Sequence, residues 1–136
     1  MKIGYDAKRA FLNNTGLGNY SRWLIGSMAD HYPDNEYFLY TPQIKSNSRL
    51  VFLKKFSNIK TVTPKSNLFT SWWRTKGMVP YLQNDGINIY HGLSHELPVG
   101  IQKSGIKTVL TVHDLIFMHF PDQFGWTSRH IYAIKI

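Results

Sequence analysis

Cysteine is absent from this chain of 136 residues. Neither disulfides nor thiolate metal sites are therefore open to it. That agrees with a reducing compartment. Long apolar runs are absent too: none approaches the roughly 20 residues that a membrane-spanning helix needs. No secretory signal is expected, because Asp6, Lys8 and Arg9 stand where its apolar core would lie. Acid is missing from residues 37–84, which carry Lys45, Arg49, Lys54, Lys55, Lys60, Lys65, Arg74 and Lys76. Those eight cations equal the whole formal charge of +8, and the rest of the chain balances. A one-sided block of this kind suits an acidic partner such as anionic lipid, nucleic acid or a phosphorylated substrate, or else is a solvated basic surface.

What is present points to a folded domain. The chain is 43% hydrophobic, enough for one domain with a real core. Lys2–Tyr5 reads as a first strand, and Leu17, Tyr20, Leu24 and Met28 recur at helical spacing, so a helix is expected over 18–31. Further strands are expected over 36–40, 59–63, 87–90 and 107–112. Residues 50–56 fit either a short helix or a strand. A helix is expected from Ser66 or Asn67 to about Leu82, ended by Asn84-Asp85-Gly86, and a last one from about Gly125. Strands alternating with helices predict an α/β domain, Rossmann-like, with a largely parallel sheet. Ile131, Ile134 and Ile136 are apolar with no polar tail, so residues 1–136 are expected to be one incomplete domain of something longer.

Ligands of such sheets bind at the carboxyl ends of the strands, and three polar segments fall there. The first is Gly16-Leu17-Gly18-Asn19, a turn entering a helix. Its backbone and the helix dipole suit a phosphate or carboxylate. It is no dinucleotide fingerprint, since Ser21 takes the third glycine position and strand two ends without an acid, and no P-loop Gly-Lys-Ser/Thr follows. The second is His91-Gly92-Leu93-Ser94-His95-Glu96. His91 and His95 are four apart, but Gly92 and Pro98 argue against the helix that would make this a zinc site. A polar substrate loop using His91, Ser94, His95 and Glu96 is the expectation. The third is His113-Asp114. His113 can bond a substrate hydroxyl or take a proton near neutral pH, and Asp114 would orient the loop. Trp72-Trp73-Arg74-Thr75-Lys76 suits a membrane interface; alternatively Leu68, Phe69, Trp72 and Trp73 form an apolar stripe that anchors their helix on the sheet, with Arg74 and Lys76 off it. No metal site and no cofactor are expected.

These residues resemble the N-terminal part of family 4 glycosyltransferases of the GT-B fold. Thr15-Gly16-Leu17-Gly18-Asn19-Tyr20 is similar to the loop after their first strand, with Asn19 where arginine is frequent. His91-Gly92-Leu93-Ser94, Val112-His113-Asp114-Leu115 and Phe120-Pro121 are similar to later segments in the same order. The resemblance implies an acceptor-side Rossmann-like domain facing a donor-binding domain, not contained in residues 1–136, that carries paired glutamates. It implies a retaining transfer of a hexosyl group, of mannosyl or glucosyl type, from a nucleotide-sugar to an acceptor hydroxyl in surface polysaccharide or glycolipid synthesis. Gly16, Leu17, Gly18 and Asn19 would approach the donor diphosphate, His113 would contact the donor sugar, and the basic Trp72–Lys76 stretch would touch membrane or a lipid-linked acceptor. It also implies a cytoplasmic enzyme, peripheral at the inner face of the membrane, and no activity from these residues alone. The alternatives are a basic nucleic-acid-binding module and a non-catalytic α/β partner-binding module.

Overall fold

The structure, a computed structural model, describes residues 1–45, 47–65 and 70–114. Five strands form one parallel sheet: β1 Lys2–Asp6, β2 Glu36–Tyr40, β3 Ile59–Val62, β4 Ile89–Gly92 and β5 Lys107–Leu110. Their spatial order is β3-β2-β1-β4-β5. Sequence order reverses between β1 and β4, which makes a topological switch point there. The fold is thus α/β and Rossmann-like, as the alternation of strand and helix patterns predicts.

Between β1 and β2 the chain forms α1, Lys8–Leu12, and α2, Gly16–His31. The 50–56 ambiguity resolves as a 3₁₀ segment over Ser48–Lys55. Between β3 and β4 run α3, Thr70–Trp72, a π-helical turn, Trp73–Gly77, and α4, Met78–Asn84. The start expected at Ser66 or Asn67 lies outside the described residues, as do Leu68, Phe69, Leu115, the Phe120-Pro121 break and the helix expected from Gly125.

Alternation along each strand separates two cores. Ile3, Tyr5, Tyr37 and Leu39 pack against Phe11, Ile25 and Ala29 on the α2 face. Phe38, Tyr40 and Tyr90 pack against Trp73, Met78 and Leu82 on the α4 face. Each such side chain contributes about 1.5–3 kcal/mol on burial. Tyr37 also ties sheet to helix, its hydroxyl lying 2.7 Å from the Met28 carbonyl and 2.9 Å from that of Tyr32 at the end of α2.

Two strand boundaries differ from expectation. The fourth strand runs over 89–92 rather than 87–90. Ile87 is still closing the preceding helix, its N–H bonded to Leu82 O after Gly86 at φ 70°. His91 is therefore a strand residue, paired across the ladder with Tyr5 and Val109. The fifth strand stops at Leu110, two residues before Val112.

Candidate active site

The turn into α2 is built from below. Arg22 is buried, and its guanidinium donates to Ala10 O at 2.7 Å, Asn13 O at 2.9 Å and Asn19 Oδ1 at 2.6 Å. Burial, and then the nearby Arg49 guanidinium, lower its pKa. The Asn13 side chain, not that of Thr15, caps the helix: its Oδ1 accepts from Thr15 N–H, the Thr15 hydroxyl and Gly18 N–H. Gly18 presses on the Asn13 carbonyl so closely that no Cβ fits, whereas nothing stands within 4 Å of where a Cβ on Gly16 would be.

The four residues expected to hold an anion thus divide. Gly18 N–H is taken by Asn13, and Asn19 N–H bonds Thr15 O in the first helical turn. Asn19 Oδ1 faces Arg22 and, at 3.5 Å, Arg49. Among the described residues, the Gly16 and Leu17 amides meet no acceptor. They keep the donor capacity that the first helical turn offers an anion.

The helix carries Tyr20 from this turn to the ends of β4 and β5. The Tyr20 ring meets His113 edge-on at 5.0 Å between centroids, and its hydroxyl lies 3.4 Å from Thr111 Oγ1. Thr111 Oγ1 also bonds His91 Nε2 at 2.8 Å. His113 Nε2 lies 2.8 Å from Leu93 O, and His113 N–H donates to His95 Nε2 at 3.0 Å. A carbonyl only accepts, so His113 carries its proton on Nε2 and, when neutral, its lone pair on Nδ1. By the same logic the His95 ring proton is on Nδ1. Burial lowers the His91 pKa, and burial raises that of Tyr5 beside it, with smaller contributions from Tyr37 and Tyr20.

His95 is the one non-glycine residue at positive φ among those described, at 59°. That left-handed conformation disfavours a side chain. It turns the chain so that the two neighbours part company. His95 stays with His113, while Glu96 pairs with Arg74 on the other side of the sheet. The structure accordingly brings together Tyr20, His91, His95 and His113, with Gly16 one helical turn before Tyr20, but not Glu96. Ser94 is buried and Asp114 exposed. Tyr20 and Thr111 are the residues sequence reading passed over, Tyr20 because its helical spacing marks it as core.

The Trp72–Lys76 stretch does not form one surface. Trp73 is buried and meets Tyr81 edge-on, whereas Trp72 is 60% exposed and Lys76 is exposed. Adjacent residues of a helix point about 100° apart, so Trp73, which opens the π turn, is buried with Met78 just after it, while Trp72 is not. Arg74 turns toward the sheet, its Nε 3.2 Å from Asp6 Oδ2. The basic block is divided likewise. Lys60 pairs with Glu36 at 2.6 Å, and Arg49 bonds Asn14 O beside the α2 turn. No described helix is long and apolar enough to cross a membrane. Among the described residues, no three of His, Asp and Glu are grouped to hold a metal ion.

No family model, curated protein or solved structure matches this chain.

Proposed function

We propose that this chain is the acceptor-side domain of a retaining glycosyltransferase that takes its sugar from a nucleotide-sugar. The reading is supported above all by one juxtaposition: Tyr20, one turn after the glycines that open α2, lies against His113 just beyond the ends of β4 and β5. In this scheme the Gly16 and Leu17 amides and the α2 dipole stabilise the leaving diphosphate. His113, oriented by Leu93 O and His95, bonds the donor sugar through Nδ1. The acceptor is a sugar or a lipid-linked sugar, and the enzyme works in the cytoplasm at the inner face of the membrane. Trp72 and Lys76, both exposed, are the aromatic and the cation of the Trp72–Lys76 stretch available for that membrane contact.

The test is sugar transfer from a panel of nucleotide-sugars by the product of the entire reading frame. His113→Ala is expected to lower turnover about 100-fold while the folded state is retained, at a stability cost of about 1 kcal/mol for the lost bond to Leu93 O. Unchanged turnover would remove His113 from the mechanism, and no transfer from any donor would end the reading. The 136-residue chain alone is expected to transfer nothing.

A further inference from the structure

On the side of the sheet opposite the histidines, the strand ends open into a cleft of about 590 Å³. Its walls come from the ends of β1, β4 and β5, the turn Ser71–Thr75 and the segment from Glu96 to Gln102. At its base lies an ion cluster. Asp6, with a side chain 2% exposed, and Glu96 flank the Arg74 guanidinium from two sides. Asp6 Oδ1 also accepts from Lys8 N–H at 3.3 Å.

Three features define what fits. Among the described residues, the ionisable groups lining the cleft, apart from the phenol of Tyr90, are Asp6, Glu96, Lys8 and Arg74, and the charges of these four cancel. In a chain of net charge +8 this is a local zero, without net attraction for an anion or a cation. Hydrogen-bonding capacity is nonetheless high. Each carboxylate oxygen has two lone pairs, and among the described residues Asp6 Oδ1 and Oδ2 each receive one protein donor. Leu97, Pro98, Val99 and Leu110 supply an apolar wall beside these polar groups. The volume suits a small molecule.

An ion pair taken out of water stabilises a fold little, and apolar packing often does as well. Keeping two carboxylates and a guanidinium at the base of a cleft makes better sense as recognition. Carboxylates accepting from, and a guanidinium donating to, adjacent hydroxyls, next to a surface for C–H groups, is the chemistry of a sugar ring. We infer that this cleft binds a neutral, polyhydroxylated ring, with Asp6, Glu96 and Arg74 as its hydroxyl partners. The site is separate from the histidine side, and it does not depend on the chain's being part of a transferase.

The experiment is an amide NMR titration of this chain with neutral monosaccharides and inositol. Leu97, Gly100 and Leu110 amides are expected to shift, with a Kd on the order of millimolar, and those of Tyr20 and His113 to stay. Glu96→Gln is expected to weaken binding about fivefold or more, and Gln102→Ala, at an exposed wall position, to weaken it less without touching the fold. No shift with any neutral ring, shifts on the histidine side, equal affinity in both variants and the parent, or tighter binding of a sugar phosphate than of its neutral parent would each overturn the inference. Transfer activity without binding here would remove this site and leave the transferase reading standing. Binding here without transfer would do the reverse.

Discussion

On the α2 side of the strand-end rim the polar groups, rings, hydroxyls, amides and the Arg22 guanidinium, bond one another and the main chain, whereas on the α4 side a guanidinium sits between two carboxylates. The two sides are separated by the thickness of one sheet and by the parity of its strands. Tyr5 faces α2 and Asp6 faces α4; His91 faces α2 and Tyr90 faces α4. Neighbours in sequence therefore serve different chemistries. The side with full charges depends on mutual compensation. The side with rings depends on backbone geometry, a glycine with no room for a side chain and a histidine in left-handed backbone. The Tyr90 phenol, between these regimes, is kept un-ionised first by burial and then by the Asp6 carboxylate.

If compensation governs the α4 side, removing one partner has the largest effect in the molecule. Arg74→Met leaves the buried Asp6 carboxylate without its cation and is expected to cost about 3–5 kcal/mol in a urea titration. Adding Asp6→Asn to that variant should restore much of the loss, since an amide needs no counter-charge. A loss under about 1 kcal/mol for Arg74→Met would place this pair with exposed ones and erase the contrast between the sides.

The two glycines of the α2 turn sharpen the other half. Gly18→Ala drives a Cβ into the Asn13 carbonyl, which belongs to the backbone held by Arg22, and is expected to cost about 3 kcal/mol. Gly16→Ala meets open space at the first helical position and is expected to be neutral or to stabilise by up to ~1 kcal/mol. If Gly16 and Leu17 amides serve a ligand, Gly16→Ala affects activity while leaving the melt intact. Equal stability losses from the two substitutions would show that the turn is not organised around Gly18.

Much of this was legible beforehand, for reasons that differ by element. Apolar and aromatic content marks β1 and β2, apolar-polar alternation marks β3, and a run of β-branched residues marks β5, while parallel order follows from the intervening helices. The rule that strand ends share a rim predicts the glycine turn, His91 and His113 on one groove; what the structure shows of this is Tyr20, one turn into α2, against His113 and Thr111. What could not be read were events that local pattern does not encode. Asp6 ends an apolar strand, and only the sheet order reveals that it lies buried at the switch point, facing Arg74 from far along the chain. A π turn has no hydrophobic period of its own, so Trp72 and Trp73 looked equivalent. The positive φ at His95 sends Glu96 away from the histidines, and a non-glycine residue gives no warning of it.

That backbone strain offers a smaller test. His95→Ala keeps the disfavoured φ and deletes the acceptor of His113 N–H, so a cost of about 1 kcal/mol is expected. His95→Asn tolerates the left-handed region and can still accept a hydrogen bond, and should cost less than half of that. Equal costs would mean that neither the φ nor the hydrogen bond matters to the ring side.

The smallest effect concerns pH and rests on His91, on the ring side. Burial lowers the His91 pKa below its ordinary 6.5. As pH falls through that value, the unfolded chain takes up a proton that the folded chain still refuses. The unfolded state then binds more protons, so stability declines with falling pH until the folded-state pKa is reached. Glu36, whose pKa is lowered chiefly by its hydrogen bond to Lys60, has the same sign but acts below 4.5. Thermal melts across the mildly acidic range should therefore show a slope of a few degrees that flattens in His91→Gln. Asp6→Asn, on the charged side, should leave that slope in place whatever it does to stability as a whole. A slope that survives His91→Gln and disappears with Asp6→Asn would reverse the assignment, making the carboxylate cluster the acid-sensitive side of the rim.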